Sequence, residues 1–267
     1  MKRRYKNVTS TKHNVVTALI ASLLAAASGA HAQEASSPYT VSANVGLFSQ
    51  YVFRGISYTQ EKPAVQGGFD LAHESGLYAG IWGTNVSDTA LNNAVGEIDV
   101  YGGYAKSIGD FSYDVGLLQF TFPGGEINGT NEKYNTLEIY AGVTWKFLNV
   151  KYSQTLTDYF GFNDKSFGLG QGDSDGSHYI EGNLAYEFIP GWKALAHVGR
   201  QHVRNYGDYS FTDWKLGVTK DFDGGWQLGV AWIDTSADSE LYTLCDGNSR
   251  CKDTGASKWL LHLKRTF

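Results

Sequence analysis

From Val41 onward the chain alternates apolar and polar residues with a period of two, as a strand does when one face meets an apolar medium and the other meets water. The last nine residues show this most clearly. Trp259, Leu261, Leu263 and Phe267 fall on one side, and Lys258, His262, Lys264 and Thr266 on the other. Arg265 breaks the order one step from the end, where a long cation reaches headgroups. A strand finishing on a terminal aromatic suits a transmembrane barrel, whose closing strand meets lipid outside and the lumen inside. An amphipathic edge strand of a soluble protein is the other reading of this segment alone.

Twelve alternating segments are predicted, at about 40–53, 63–73, 77–86, 97–106, 111–122, 134–145, 149–159, 177–188, 192–203, 211–221, 226–234 and 258–267. In the first, Val41, Ala43, Val45, Leu47, Tyr51 and Phe53 oppose Thr40, Ser42, Asn44 and Gln50. Connections alternate in length. Short ones fall near 74–76, 107–110, 147–148, 189–191 and 223–225; long ones span about 54–62, 87–96, 123–133, 160–176, 204–210 and 235–257. Short turns on one rim and long loops on the other are the plan of an outer-membrane barrel with both termini on the periplasmic side. Aromatic pairs flank the short turns, Tyr104 with Phe111, Trp145 with Tyr152, Phe188 with Trp192 and Phe222 with Trp226, as an interfacial girdle requires. The expected fold is an all-β, transmembrane, up-and-down antiparallel β-barrel of about twelve strands.

The N-terminus changes the picture by supplying an address. Lys2, Arg3, Arg4, Lys6 and Lys12 precede an apolar run from Val15 to Ala27, and Ala30-His31-Ala32 reads as a cleavage site before Gln33. Residues 1–32 are expected to be a signal peptide and 33–267 a single barrel domain in the outer membrane of a Gram-negative cell. Loss of five cations and no acid takes the formal charge from −5 to −10, leaving no basic patch for nucleic acid or an anionic membrane surface. Thirty-two glycines, 14% aromatics and four prolines favour strands and tight turns. A mean hydropathy of −0.30 excludes helical spans but not a barrel, in which lipid-facing and lumen-facing residues cancel.

The stretch Ser42 to Phe69, SANVGLFSQYVFRGISYTQEKPAVQGGF, followed by Ser75-Gly76-Leu77-Tyr78-Ala79-Gly80-Ile81-Trp82-Gly83-Thr84-Asn85, resembles the bacterial TorF family of porin-like proteins, also called the Gcw_chp family. Glu97-x-Asp99-x-Tyr101-x-Gly103-Tyr104 and Phe122-Pro123-Gly124-Gly125 are similar to further parts of that pattern. The resemblance implies an outer-membrane β-barrel with a channel role. It implies no substrate.

The alternation also assigns a lumen. Asp70, Asp99, Asp114, Glu138 and Glu181 are expected on an acidic arc with Glu97 and Glu187, interrupted by Lys151. His197, Lys215, His262 and Lys264 are expected on a basic arc with Lys193 and Lys258, interrupted by Asp213. Near mid-height, Asp99, Glu138 and Glu181 would face His197, Lys215 and His262, a transverse field that orients dipolar solutes. The alternative is that the charges pair across a plugged lumen. Arg54, where the first strand meets its loop, stands with Glu97 at the pore mouth; it either binds an anionic solute or anchors the loop to a carboxylate such as Glu97.

Cys245 and Cys251 both fall in the longest loop, and a disulfide there would pin it by about 2–3 kcal/mol. No metal-ligand spacing surrounds them, and no cofactor is expected. In the 170–178 loop, Asp173 and Asp175 faintly echo a calcium loop that lacks its final acid, the glycines echo a phosphate loop without its helix, and Ser174 or Ser177 with His178 could suggest a lipid hydrolase. A polar solvated loop explains the same residues. Three classes follow: a porin-like channel for passive diffusion of small hydrophilic solutes, which is the leading reading and not an enzyme; an outer-membrane lipid hydrolase; and a structural or adhesive barrel with a closed lumen. Expected partners are outer-membrane lipids, small solutes, and the barrel-assembly machinery through the strand ending at Phe267. Replacing Lys215 and His262 by Ala is expected to shift ionic selectivity toward cations, and unchanged reversal potentials under ion substitution would count against the two arcs.

Overall fold

A computed structural model describes residues 37–167 and 170–267; the expected signal segment lies outside the described residues. The strands in chain order are β1 (Tyr39–Phe48), β2 (Val52–Phe53), β3 (Ile56–Ser57), β4 (Ala64–His73), β5 (Leu77–Thr84), β6 (Glu97–Ile108), β7 (Phe111–Thr121) and β8 (Thr136–Trp145). They continue with β9 (Leu148–Thr155), β10 (His178–Ile189), β11 (Trp192–His202), β12 (Phe211–Asp221), β13 (Trp226–Thr235), β14 (Thr243–Cys245), β15 (Cys251–Asp253) and β16 (Lys258–Thr266). Twelve of these, all but β2, β3, β14 and β15, form one closed antiparallel barrel in which each pairs with its neighbours in sequence. The last strand returns to the first, with Asn44 opposite Thr266 and Phe48 opposite His262. Beyond the ladder, the Phe267 N–H donates to the Ala43 carbonyl at 2.8 Å.

Closure leaves no unpaired sheet edge, which hydrocarbon would not tolerate. The outer face is correspondingly apolar: Val41 is 70% exposed, Phe69 64% and Leu216 59%, whereas their inward neighbours Ser42 and Asp70 are 9% and 8% exposed. Phe111, Trp145, Phe188, Trp192, Phe222, Trp226 and Phe267 stand exposed around the short-turn rim, the girdle expected from the sequence. Arg265 lies over the rings of Trp226 and Phe267, at 5.3 and 4.5 Å from their centroids, so its charge sits among interfacial aromatics.

Inside, glycines and large polar aromatics are matched across strands. Tyr140 on β8 lies over Gly116 on β7, its directly opposed partner, and Tyr101 on β6 lies over Gly80 on β5 in the same way. A Cβ at Gly116 would stand 2.5 Å from the Tyr140 hydroxyl oxygen and 2.6 Å from the Gly102 carbonyl oxygen. Glycine therefore makes room for each ring, and the ring shields the bare backbone.

One strand departs from the sequence pattern. The first was expected to run on through Tyr51 and Phe53, but β1 stops at Phe48 and the chain turns into the lumen. Ser49 and Gln50 fasten the bend to β16: the Ser49 N–H donates to the Leu261 carbonyl at 2.8 Å and the Gln50 amide to the Trp259 carbonyl at 3.0 Å. Tyr51, expected to face lipid, is 5% exposed inside the barrel. Over the long-loop mouth, Leu91, Ala94, Phe120, Phe122, Tyr159, Phe160, Val203 and Tyr206 form the buried apolar cluster of the molecule. Gly116→Val is expected to destabilise the barrel by about 1–3 kcal/mol through overpacking against Tyr140, measured as a lower urea midpoint of the detergent-folded protein.

Candidate functional site

The β2–β3 hairpin turns on Arg54 and Gly55, with φ of 46° and 79°. Two consecutive positive φ values are the signature of the tight hairpin turn whose twist matches its strands. Gly55 meets this without strain, and it also allows contact, since a Cβ there would stand 2.7 Å from the Asp213 Cβ. Arg54 has no such freedom. Its backbone is held in a sparsely occupied region by what its side chain binds.

The Arg54 guanidinium makes a fork with Glu138 on β8, Nη1 to Oε1 at 2.9 Å and Nη2 to Oε2 at 2.7 Å, and Nη1 also donates to Gln201 Oε1 at 3.0 Å. Both charged side chains are withdrawn from water, 8% exposed for Arg54 and 2% for Glu138. Rings of Phe53 and Tyr179 cover the guanidinium at 4.7 and 4.4 Å from their centroids. Burial alone would drive Arg54 toward neutrality, but attraction to Glu138 outweighs it and holds the guanidinium pKa above its ordinary value. Lys258 tightens the hairpin from the opposite wall, donating to the Gly55 carbonyl at 2.7 Å and to the Thr254 carbonyl at 2.9 Å. Tyr51 donates to Glu97 at 2.9 Å, and burial, then the Glu97 and Asp99 charges, push its hydroxyl pKa well up.

The loop is thus anchored to a carboxylate, as one reading of Arg54 held, but the partner is Glu138 rather than Glu97. Arg54 also lies inside the lumen rather than at its mouth. The reason is the inward bend at Ser49, which carries the hairpin down past Glu97 before the turn is reached. Phe53 then docks beneath the mouth cluster, 5.4 Å from Phe120 and 6.1 Å from Phe160 between ring centroids.

Beneath this roof is a cavity of about 680 Å³ that extends from Arg54 and Glu138 to Ser75, Gly76, Ser107 and Ser112 at the short-turn rim. Its wall carries a continuous hydrogen-bonded chain. Asn149 donates to Thr144 at 2.9 Å and accepts from Asn183 at 3.2 Å; the Asn183 carbonyl oxygen meets His197 Nδ1 at 2.6 Å. His197 Nε2 lies 2.9 Å from Asp213, which accepts from the Tyr179 hydroxyl at 2.8 Å.

Asp114, Glu138, Glu181, His197 and Lys215 line this cavity. Asp70, Asp99 and His262 lie on inward positions of their strands, between exposed Phe69 and Leu71, Ile98 and Val100, Leu261 and Leu263, and Lys264 lies on the same face two residues beyond His262. Asp70 accepts from Tyr101, Asp114 from Tyr78 at 2.6 Å, and His262 stacks on Phe48 and meets Gln227 at 3.2 Å. One buried oxygen of Asp99 has no hydrogen bond among the described residues. Two expected oppositions are corrected. Glu138 is taken by Arg54, and Glu181 lies 3.6 Å from His197 instead of facing it, because β10 and β11 are adjacent strands. Gln201, Asn183 and Tyr179 are the residues that sequence reasoning passed over. They fall on the polar or buried side of the alternation, but nothing local marks Gln201 as the partner of a residue 147 positions away.

The 170–178 loop has its polar groups committed to contacts within the protein. Ser174 and Ser177 are fully buried, and their hydroxyls donate to the Phe162 and Ser174 carbonyls at 2.6 Å each, while His178 stacks between Tyr152 and His202. Asp175 pairs with Arg204 at 3.0 Å, and no cluster of three or more potential metal ligands occurs among the described residues. Cys245 and Cys251 are joined in a disulfide across the β14–β15 hairpin.

Residues 32–267 match the family described as "Bacterial protein of unknown function (Gcw_chp)". The chain belongs to the Gcw_chp family. Among solved structures this Gcw_chp barrel is similar to the KdgM porin, with a TM-score of 0.51 at 13% identity over 85% of this chain and 99% of that one. It is similar also to the KdgM porin in complex with disordered oligogalacturonate, with a TM-score of 0.51 at 12% identity over the same shares. The NanC porin in a rhombohedral crystal form gives 0.49 at 12% identity, over 85% and 99%. No curated protein matches the sequence. What is shared at these identities is the fold. Together with the apolar belt, it places the Gcw_chp barrel in the outer membrane.

Removing one member of a buried ion pair typically costs about 3–5 kcal/mol, because the other is left charged and unpaired. A double-mutant cycle on Arg54→Ala and Glu138→Ala is therefore expected to return a coupling energy on the order of 3 kcal/mol in urea unfolding. Additive effects would show that the pair does not hold the hairpin.

Proposed function

We propose that this barrel is a porin-like channel for passive diffusion of small hydrophilic solutes, and that the arrangement described is its closed state. The observation that carries the proposal is the way the lumen is blocked. The wall leaves a cavity of about 680 Å³ lined by charged and polar side chains together with Phe53, Leu118, Phe120, Ile233 and Leu260, and its upper end is closed by the inserted hairpin, seated beneath the aromatic cluster of the mouth. A barrel built only as a scaffold would fill such a space with side chains, since a polar cavity must be hydrated and adds nothing to packing. The hairpin instead rests on discrete contacts: the Arg54 fork to Glu138, the Lys258 bonds and the Phe53 ring. Release of those contacts, with the mouth cluster parting above Phe53, would join the cavity to the long-loop side.

The fold likeness to the KdgM porin supports the class, and the solute is left to the chemistry of this lumen. A structural barrel with a permanently closed lumen is the second reading. It is favoured by the aromatic cluster across the mouth. A hydrolase is not supported, because both loop hydroxyls are committed to backbone carbonyls.

Planar-bilayer recording separates the two. Native protein is expected to be mostly non-conducting, whereas Arg54→Ala, which removes the latch, and Gly55→Val, which forces the turn away from Asp213, are each expected to give discrete, salt-dependent conductance steps. Silence from both variants, shown to be folded by heat-dependent gel mobility, would overturn the channel reading in favour of the closed barrel.

A further inference from the structure

We propose that the cavity below the hairpin is a binding site for small zwitterionic solutes of the amino-acid and short-peptide class, with the solute carboxylate at Lys215 and its ammonium at Asp114. The proposal rests on the reading that the lumen admits hydrophilic solutes, and it names which ones.

The cavity carries both signs of charge. Four cationic and five anionic side chains line it, a formal sum of −1 with the histidines neutral. Four are already held by protein groups. Arg54 and Glu138 hold each other; Asp213 accepts from Tyr179 and faces His197; one Glu181 oxygen accepts from Asn183 at 2.9 Å. Lys215 on β12 is different: it lines the cavity and is attracted by Glu181 and Asp213, but among the described residues its ammonium makes no direct hydrogen bond or ion pair. Lys151 likewise makes no direct bond to an oxygen among them, its ammonium lying 4.2 Å from the Tyr140 ring centroid, though it stands in register with Asp114 across Gly142 and the two attract each other. On the other wall, Asp114 on β7 uses one carboxylate oxygen, which accepts from Tyr78 at 2.6 Å, and leaves the other without a protein donor among the described residues.

An ammonium and a carboxylate oxygen without direct protein bonds therefore face one cavity from strands five places apart in the barrel order. A bare anion would satisfy the lysines but raise the negative sum. A bare cation would meet Asp114 and leave Lys215 without a counter-charge. A solute bearing both charges completes both ends and leaves the total unchanged, which is the electrostatic complement of a near-neutral site with separated poles.

The test is calorimetric titration of the detergent-folded native protein with L-alanyl-L-alanine, its N-acetyl derivative and its C-terminal amide, which keep one shape while removing one charge at a time. The zwitterion is expected to bind at least tenfold more tightly than either derivative. Lys215→Met is expected to abolish discrimination against the amide, and Asp114→Asn discrimination against the N-acetyl compound. Equal affinities for all three, or no binding of the dipeptide to folded protein, overturns the proposal. Binding is read without an open pore, so a protein that discriminates but never conducts sinks the channel reading alone. Conductance without discrimination sinks this inference alone.

Discussion

A β-sheet inside hydrocarbon must leave no backbone group unpaired, and the rest of this molecule follows from that constraint. The only edge-free solution for twelve antiparallel strands is a ring, which here is sealed between β1 and β16 and finished by the Phe267 N–H on the Ala43 carbonyl. Once the ring is closed, each strand has one face in lipid and one in the interior, so successive residues must change polarity. The exposed Val41, Phe69 and Leu216 and the withdrawn Ser42, Asp70 and Asp99 are two sides of one geometric fact.

Closure creates a second problem, the interior itself. A ring of this size encloses more space than its inward side chains fill. The chain meets this in three ways at three heights. Near mid-wall, tyrosines lie over glycines of the neighbouring strand, as Tyr140 does over Gly116. Towards the long-loop rim, the first loop folds inward and Arg54 finds Glu138. Towards the short-turn rim the space is left to water, lined by a chain of amides and carboxylates from Thr144 to Tyr179. The ion pair matters because it stands at the boundary between the packed part and the hydrated part. Its burial makes each partner costly without the other, so the hairpin is either seated or released, with little benefit in between.

The cavity's electrostatics come from the same economy. Tyrosine hydroxyls and asparagine amides, neutral donors, satisfy much of the demand of the carboxylates, with Tyr78 on Asp114 and Asn183 on Glu181. Of the cations that line the cavity, only Arg54 among the described residues is held in an ion pair, with Glu138. Lys151 and Lys215 remain available to something that enters, in a space whose charges nearly cancel.

Alternation, with the unequal lengths of successive connections, was enough to read the closed barrel, the strand positions after the first, the aromatic girdle and the inward faces of Asp70, Asp99, Glu138, His197 and Lys215, because burial in a two-faced wall has a period of two and leaves its mark on neighbouring residues. The pairing of Cys245 with Cys251 was legible for a similar reason, the two being six positions apart in one loop. What the sequence could not decide was where a loop goes. Tyr51 and Phe53 continue the first strand's pattern, yet their chain bends inward, because the bonds that turn it come from Leu261 and Trp259, over two hundred residues away. The choice of Glu138 over Glu97 for Arg54, and the meeting of Glu181 with His197, likewise depended on depth and strand adjacency. Those are set only when the ring closes, and no local pattern encodes them.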